Sequence, residues 1–352
     1  MKIALIAIGL IAIVTTILPL FRSDVWWIRV FDFPRMQINV VIIATFITYI
    51  IFAWDGGLAS NLFLIALSGS LAYQCYMMYP YTPLAAKQVQ ASKGGESDAT
   101  FSLLFANVLQ DNRNADKLKT IIREADPDLI LTVETDTWWK ENLKELEQTH
   151  PHTVMQPQDD TYGMMFYSRL ELIGAEVKFL IEDNVPSIHG RVRLLSGIEV
   201  EIRCLHPPPP FPTVDDSSKE RDAELLIVGK EIKKLSGPAV VFGDLNDVAW
   251  SRTNYLFKDI SGLLDPRVGR GFYNTFHAKY PFMRFPLDHC FHSNHFRLVD
   301  FRRLAYYGSD HFPVYIKLSY EPDAEIEQDE LQASKSQQEE AEQKIDKKLG
   351  AD

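Results

Sequence analysis

Cysteine is scarce in this chain: Cys75, Cys204 and Cys290 are its whole complement in 352 residues. An odd count without regular spacing gives no disulfide framework. Basic charge is also in short supply. Lys and Arg total 36 against 47 Asp and Glu, for a formal net charge of −11. The tail 321–352 holds −7 and residues 1–97 hold +2, which leaves −6 on residues 98–320. A segment of that sign lacks the broad basic footprint of a protein that lives on duplex nucleic acid, although it leaves a nuclease open. No internal repeat is present.

What the chain has in excess is apolar sequence near its N-terminus. The runs Lys2–Phe21, Met36–Trp54 and Asn61–Tyr79 are each about 20 residues, the length a helix needs to cross a hydrocarbon core. The first lacks a small-residue cleavage site and two more follow, so it reads as a permanent anchor rather than a signal peptide. Trp26, Trp27, Trp54, Tyr73, Tyr76 and Tyr79 fall at or near the ends of the runs, where amphipathic rings suit the headgroup layer. We therefore expect three transmembrane helices over residues 1–80 and a multi-pass protein of the cell membrane. An outside N-terminus would place Arg22, Arg29, Arg35, Lys87 and Lys93 inside, and the large domain in the cytoplasm. Asp24 and Asp32 in the same loop oppose that bias, and the side stays open.

Residues 81–97, rich in Ala, Gly, Ser and Lys, read as a linker. Over 98–320, strand patterns such as "FSLLFANVL", "DLILTVE", "YGMMFYS" and "PAVVFGD" are separated by single helices. One helix is expected in 217–235, with Ser217 or Ser218 as its cap, Leu225, Val228, Ile232 and Leu235 as its apolar stripe, and Gly237 at its end. The mixture suggests a layered α/β or α+β domain rather than a plain doubly wound sheet. The tail 321–352 has few large apolar residues and reads as disordered or as a solvated helix.

The informative feature is the polar residues that end apolar strands. Asn107 ends "LLFAN", Glu134 ends "LILTVE", His206 ends "VEIRCLH", and Asp244 ends "VVFGD" with Asn246 two residues on. Asp288 lies in "FPLDHCF", and Asp310 and His311 lie in "GSDHFPV". A carboxylate at the end of a buried strand costs free energy unless it is paired or binds a cation. One such residue is ordinarily a cap or turn former. Six sites together suggest one rim, with oxygen ligands for a hard cation and histidines that handle protons. Phosphoester hydrolysis needs that combination: neutralised oxygens, a positioned water and support for the leaving oxygen.

These motifs resemble the endonuclease/exonuclease/phosphatase superfamily. "VVFGDLND" looks like its GDxN element, "GSDHFPV" like its SDH element, and "ILTVETD" like its metal-binding Glu strand, with Val133 where a Gln is common. "FANVLQDN", "YGMMFYSR" and "FYNTFHAKYPFMRFPLDHCFHS" complete the order over about residues 100–320. The resemblance implies a four-layered sandwich of two packed β-sheets flanked by helices, and a Mg²⁺-dependent hydrolase, with Mn²⁺ as a substitute. It implies Glu134 as principal metal ligand with Asn107 and Asp310 beside it. Asp244 would orient or deprotonate water, Asn246 would donate to a phosphate oxygen, and Asp288 would hold His311. His206 would contact phosphate or protonate the leaving group.

Other readings stand beside these. Arg191, Arg193 and Arg284 are candidate phosphate contacts. His289, Cys290, His292 and His295 have helical spacing for zinc, but the segment reads as a strand, which splits them between two faces. His189 and His277 read as structural or rim residues, and Trp138 and Trp139 as packing at a helix start. The substrate is a phosphoester, either nucleic acid in a phosphodiesterase or endonuclease, or a phospholipid or inositol phosphate headgroup. No obligate protein partner is evident. A module of another class, inert and membrane-bound, would use the proline run after His206 for docking; we read that run instead as a stiffened loop, because Pro207 cannot continue the strand ladder.

Overall fold

The computed structural model describes residues 1–94, 97–209 and 217–350. It opens with α1 (Lys2–Ile17), the one-turn α2 (Trp26–Arg29), α3 (Arg35–Phe52) and α4 (Leu58–Met78). Three stretches, Lys2–Phe21, Arg35–Phe52 and Leu58–Tyr81, are helical, long and apolar enough to cross a membrane. Their outward faces expose Ile, Leu and Val, while Ala12, Ile38, Ile42 and Leu67 form the seam between them. Were all three to cross a membrane, residues 22–34 and everything after Tyr81 would lie on one side. Lys2 and Asp55 would then share the other side, and Lys2 Nζ donates to Asp55 Oδ2 at 2.6 Å.

The remainder is a layered sandwich. Strands β1 (Thr100–Asn107), β2 (Leu129–Val133), β3 (His152–Gln156) and β4 (Met164–Ser168) belong to one sheet. Strands β5 (Glu171–Lys178), β6 (Ser187–Arg193), β7 (Glu199–Leu205), β8 (Ala239–Asp244) and β9 (Asp288–His292) make the other, in that order. The last two strands, β10 (Phe296–Arg303) and β11 (Val314–Tyr320), return to the first sheet, whose order is β10-β11-β1-β2-β4-β3. Each sheet holds one parallel pair, β1 with β2 and β7 with β8, among antiparallel neighbours. Alternation along the strands sends one face of each sheet into a shared core, where Phe105 and Phe166 meet Phe242. Helices α5 (Ala115–Ala125) and α6 (Thr137–Leu143) cover the outer face of the first sheet through Leu118, Ile122 and Trp139. Helices α7 (Lys219–Lys233) and α8 (Arg252–Ser261) cover the second through Leu225, Val228 and Phe257. This is the expected four-layered sandwich.

Two segments behave differently from their composition. Residues 81–94 are no free linker: Val89 joins the inter-sheet core and Leu298 N donates to Gln90 O at 2.9 Å. The acidic tail forms α9 (Ala324–Glu327) and α10 (Lys335–Leu349), and α10 docks on α7 and α8 with Ala341 and Ile345 buried beside Leu226, Leu256 and Ile260. Its few cations find buried acids, with Lys344 Nζ donating to Asp24 Oδ1 at 2.7 Å and to Asp222 Oδ2 at 2.9 Å. Two apolar residues and paired charge therefore dock a segment whose average composition reads as solvated.

The N-terminal helical segment is tied to the sandwich. Arg29 Nη2 donates to Asp247 Oδ2 at 3.2 Å, Trp250 Nε1 to Asp32 O at 2.7 Å, and Tyr81 OH to Ala249 O at 2.6 Å. Arg29 and Arg35 are thus engaged with Asp247 and Asp32, so neither is a free loop cation for a charge bias across any membrane.

Candidate active site

The parallel pairs aim their C-terminal ends at one edge, and the polar strand ends meet there. Asn107 Nδ2 donates both to Glu134 Oε1, at 2.7 Å, and to Asp244 Oδ2, at 3.0 Å, and so joins the two sheets. Its own carbonyl accepts from Tyr307 OH and Ser309 Oγ at 2.6 and 2.7 Å. Glu134 follows β2 with φ +60, a left-handed conformation that costs a β-carbon-bearing residue about 1 kcal/mol. Gly243 precedes Asp244 with φ +140, and a Cβ there would lie 2.0 Å from Leu205 O. Only glycine allows β7 and β8 to approach this closely beside Asp244.

His311 is held from both sides. Its Nδ1 lies 2.7 Å from Asp288 Oδ2, and its Nε2 lies 3.4 Å from Asp244 Oδ2. Burial alone would lower its pKa, but Asp288 and Asp244 outweigh burial and raise it to about 10, so the ring is an imidazolium at neutral pH. His206 is in the opposite state. Burial pushes its pKa below the usual value despite the Asp244 charge, so it is neutral and offers an N–H rather than a spare proton. Burial also pushes the Glu134 carboxyl up to about 7, against the Asn107 hydrogen bond.

Asp244, Asp288 and His311 place ligand atoms within 4.8 Å of one another, as a buried acidic cluster able to hold a metal must. Both ring nitrogens of His311 already face carboxylates, however, and an imidazolium is no ligand. The oxygens left for a cation are those of Glu134 and Asp310, which line the same cavity as Asp244 and His311. Four carboxylates face one imidazolium, and that excess of buried oxygen charge fits a hard divalent cation.

Several expected roles change. Asn107 presents its NH₂ to the two acids, while its Oδ1 accepts from Leu109 N at 3.0 Å; it braces the ligands and does not itself offer an oxygen. Asn246 lines the cavity, but its Nδ2 donates to Pro207 O at 3.0 Å, fastening the His-Pro loop. Arg191 is not at the site. It pairs in register with Glu201, well short of His206, and its guanidinium is bound by Glu199, because its place on an edge hairpin favours cross-strand ion pairing. Arg193 likewise pairs with Glu171 and Glu199. Arg284 lies between two cavity-lining residues but turns to Phe312, 5.0 Å away, and donates to Ala278 O. His289 bridges Arg267 and Asp247 O, Cys290 lies in the inter-sheet core, and no zinc set forms from that strand. Pro209 lines the cavity, and Pro210 lies outside the described residues.

The cavity itself, about 430 Å³, holds the largest surprise. Its floor is Glu134, Asp244, Asp310 and His311, but one wall is Trp26, Val30, Phe31, Phe33 and Pro34, from the segment between the first two long apolar helices. No periodicity within 22–34 signals this, since the contact depends on where distant residues fold.

A family model for the endonuclease/exonuclease/phosphatase family matches residues 99–311. The chain belongs to that family. Solved structures agree on the fold. Humanized D. rerio TDP2, carrying 14 mutations, is 15% identical with a TM-score of 0.54, over 63% of this chain and 99% of that one. The human Nocturnin catalytic domain with bound sulfate is 15% identical with a TM-score of 0.52, over 64% and 97%. D. rerio TDP2 complexed with a single-strand DNA product is 18% identical with a TM-score of 0.50, over 63% and 99%. No curated protein matches this chain by sequence. The family's match begins at residue 99, so the anchor and its wall lie outside what the family model describes.

Proposed function

We propose that this protein is a membrane-anchored phosphoester hydrolase of the phosphodiesterase or endonuclease type, dependent on Mg²⁺ and served by Mn²⁺ as a substitute. The observation that supports it most is the Asp288–His311–Asp244 chain beside Glu134 on a cavity floor. Family enzymes generally use divalent metal ions. Glu134 and Asp310 would hold the ion, and when bound it neutralises charge on the phosphate oxygens. Asp244 orients the water and takes its proton as the oxygen–phosphorus bond forms and the bond to the leaving oxygen breaks. The same proton then passes to the departing alkoxide. His311, kept cationic by Asp288, donates to a non-bridging oxygen and stabilises the charge that develops there. The second N–H of Asn246, which lines the cavity, is a further donor, and His206 lies buried close to Asp244 and His311. An inert binding module would have no use for a buried cation-poor cluster of this kind.

The test is hydrolysis of bis-p-nitrophenyl phosphate by the full chain in detergent. Turnover with Mg²⁺ or Mn²⁺ that EDTA abolishes is expected; no turnover with any divalent metal rejects the enzyme reading.

A further inference from the structure

We propose that the substrate is a membrane lipid phosphoester, bound with its hydrocarbon chain against the wall formed by residues between the first two membrane helices. This rests on the hydrolase reading above and specifies its substrate. Three features carry it. The reacting groups and the wall share one cavity, which is lined by Glu134, Asp244 and His311 and also by Trp26, Val30 and Phe31. An apolar wall next to charged catalytic groups suits a molecule with a charged phosphate and a hydrocarbon chain.

The wall also lies at the membrane surface and is fixed there. Phe31 and Phe33 fall between the spans Lys2–Phe21 and Arg35–Phe52. The segment that carries them is tied to the catalytic loop by Arg29 to Asp247 and by Trp250 to Asp32 O. Phe33 packs edge-on against Phe285 at 5.7 Å, which closes the seam between anchor and sandwich.

The mouth continues outward as apolar surface. Tyr280, Phe282 and Met283 are exposed, Phe282 by 87%, and Gln37 in the first turns of α3 donates to Phe282 O at 2.7 Å. That hydrogen bond sets the loop level with the start of a membrane-spanning helix, where exposed aromatic and thioether side chains meet lipid rather than water. Among the described residues that line the cavity, none is Lys or Arg, so a nucleic-acid strand would find no cation for the phosphates on either side of the reacting one.

A series of p-nitrophenyl alkyl phosphodiesters with methyl, hexyl and dodecyl chains tests this on the full chain in one detergent with Mg²⁺. Each turnover adds water to phosphorus and releases p-nitrophenolate, with the remaining proton going to solvent. We expect kcat/KM to rise about a hundredfold from methyl to dodecyl, equivalent to burying three or four methylenes. Phe31→Ala combined with Val30→Ser should cut the dodecyl-to-methyl ratio about tenfold, and Phe31→Leu should keep it, which separates a binding wall from partition into micelles. Methyl diester cleavage with no gain from chain length overturns the lipid inference and leaves the hydrolase reading standing. Faster turnover of a single-stranded oligonucleotide than of the dodecyl diester overturns it in favour of a nuclease. Failure to cleave any of them removes both.

Discussion

Asp244, which ends β8, and Asp247, three residues on, are equally buried, yet their surroundings are opposed. Asp244 shares its space with Glu134, Asp288 and Asp310, and His311 is the cation among them. Asp247 is met by Arg29 and Arg221, both at 3.2 Å, and by the hydroxyl of Ser251 at 2.6 Å. Burial works to raise both carboxyls. What differs is the sum of neighbouring charge: the first cluster is left acidic, and the second is close to balance. A balanced buried cluster can hold two parts of a protein together. An acidic one is costly to keep and is understandable where a cation or a reacting phosphate completes it.

Removing a charge from each cluster should have opposite consequences. In the acidic cluster, Asp244→Ala or His311→Ala should lower bis-p-nitrophenyl phosphate turnover by at least about a thousandfold, roughly 4 kcal/mol of barrier. Asp244→Ala should change thermal unfolding in detergent little, because removing an acid from an acid-rich site relieves repulsion, whereas His311→Ala takes away the cluster's one cation and should lower the unfolding midpoint as well. Retention of more than about a tenth of the rate by either variant would show that its role is wrongly assigned.

In the balanced cluster the order of effects reverses. Arg29→Ala leaves Asp247 and Asp32 short of a buried partner and should cost about 3 kcal/mol of stability, read from unfolding midpoints in detergent. Arg29→Met together with Asp247→Asn should recover much of that loss, since a neutral pair leaves no uncompensated charge. If Arg29→Ala melts with the wild type, the anchor is not held by this network.

The same contrast explains what could be read from sequence. Glu134, Asp244, Asp288 and His311 were legible because each breaks an apolar strand pattern, and strand ends on one edge necessarily converge. Arg191 met no such test, and its alternation along β6 carries it to ion pairs on the hairpin. Three helices long and apolar enough to cross a membrane were legible from length and composition. The wall from Trp26 to Pro34 was not, because its partners at 244–287 are more than two hundred residues away and nothing local encodes the contact. The docking of α10 rests on two buried apolar residues and on ion pairs with Asp24 and Asp222, too sparse a pattern to stand out from an acidic tail.

Glu224 gives the sharpest control, with a smaller effect. It is a buried acid on α7 whose Oε1 has no hydrogen-bond partner, and burial pushes its pKa up to about 8. Here no metal or substrate role is in play, so the molecule should resolve the charge by keeping the proton. A folded-state pKa above the unfolded value means that the folded protein binds more protons between about pH 4.5 and 8, and stability must fall as pH rises through that window. Glu224→Gln removes the titration. It should therefore stabilise the protein by about 4 kcal/mol at pH 7.5 and by less than about 0.5 kcal/mol at pH 4.5, with activity unchanged. A gain that is the same at both pH values would mean that Glu224 is ionised in the fold and has a cationic partner. Unbalanced burial would then no longer mark the catalytic cluster as different in kind.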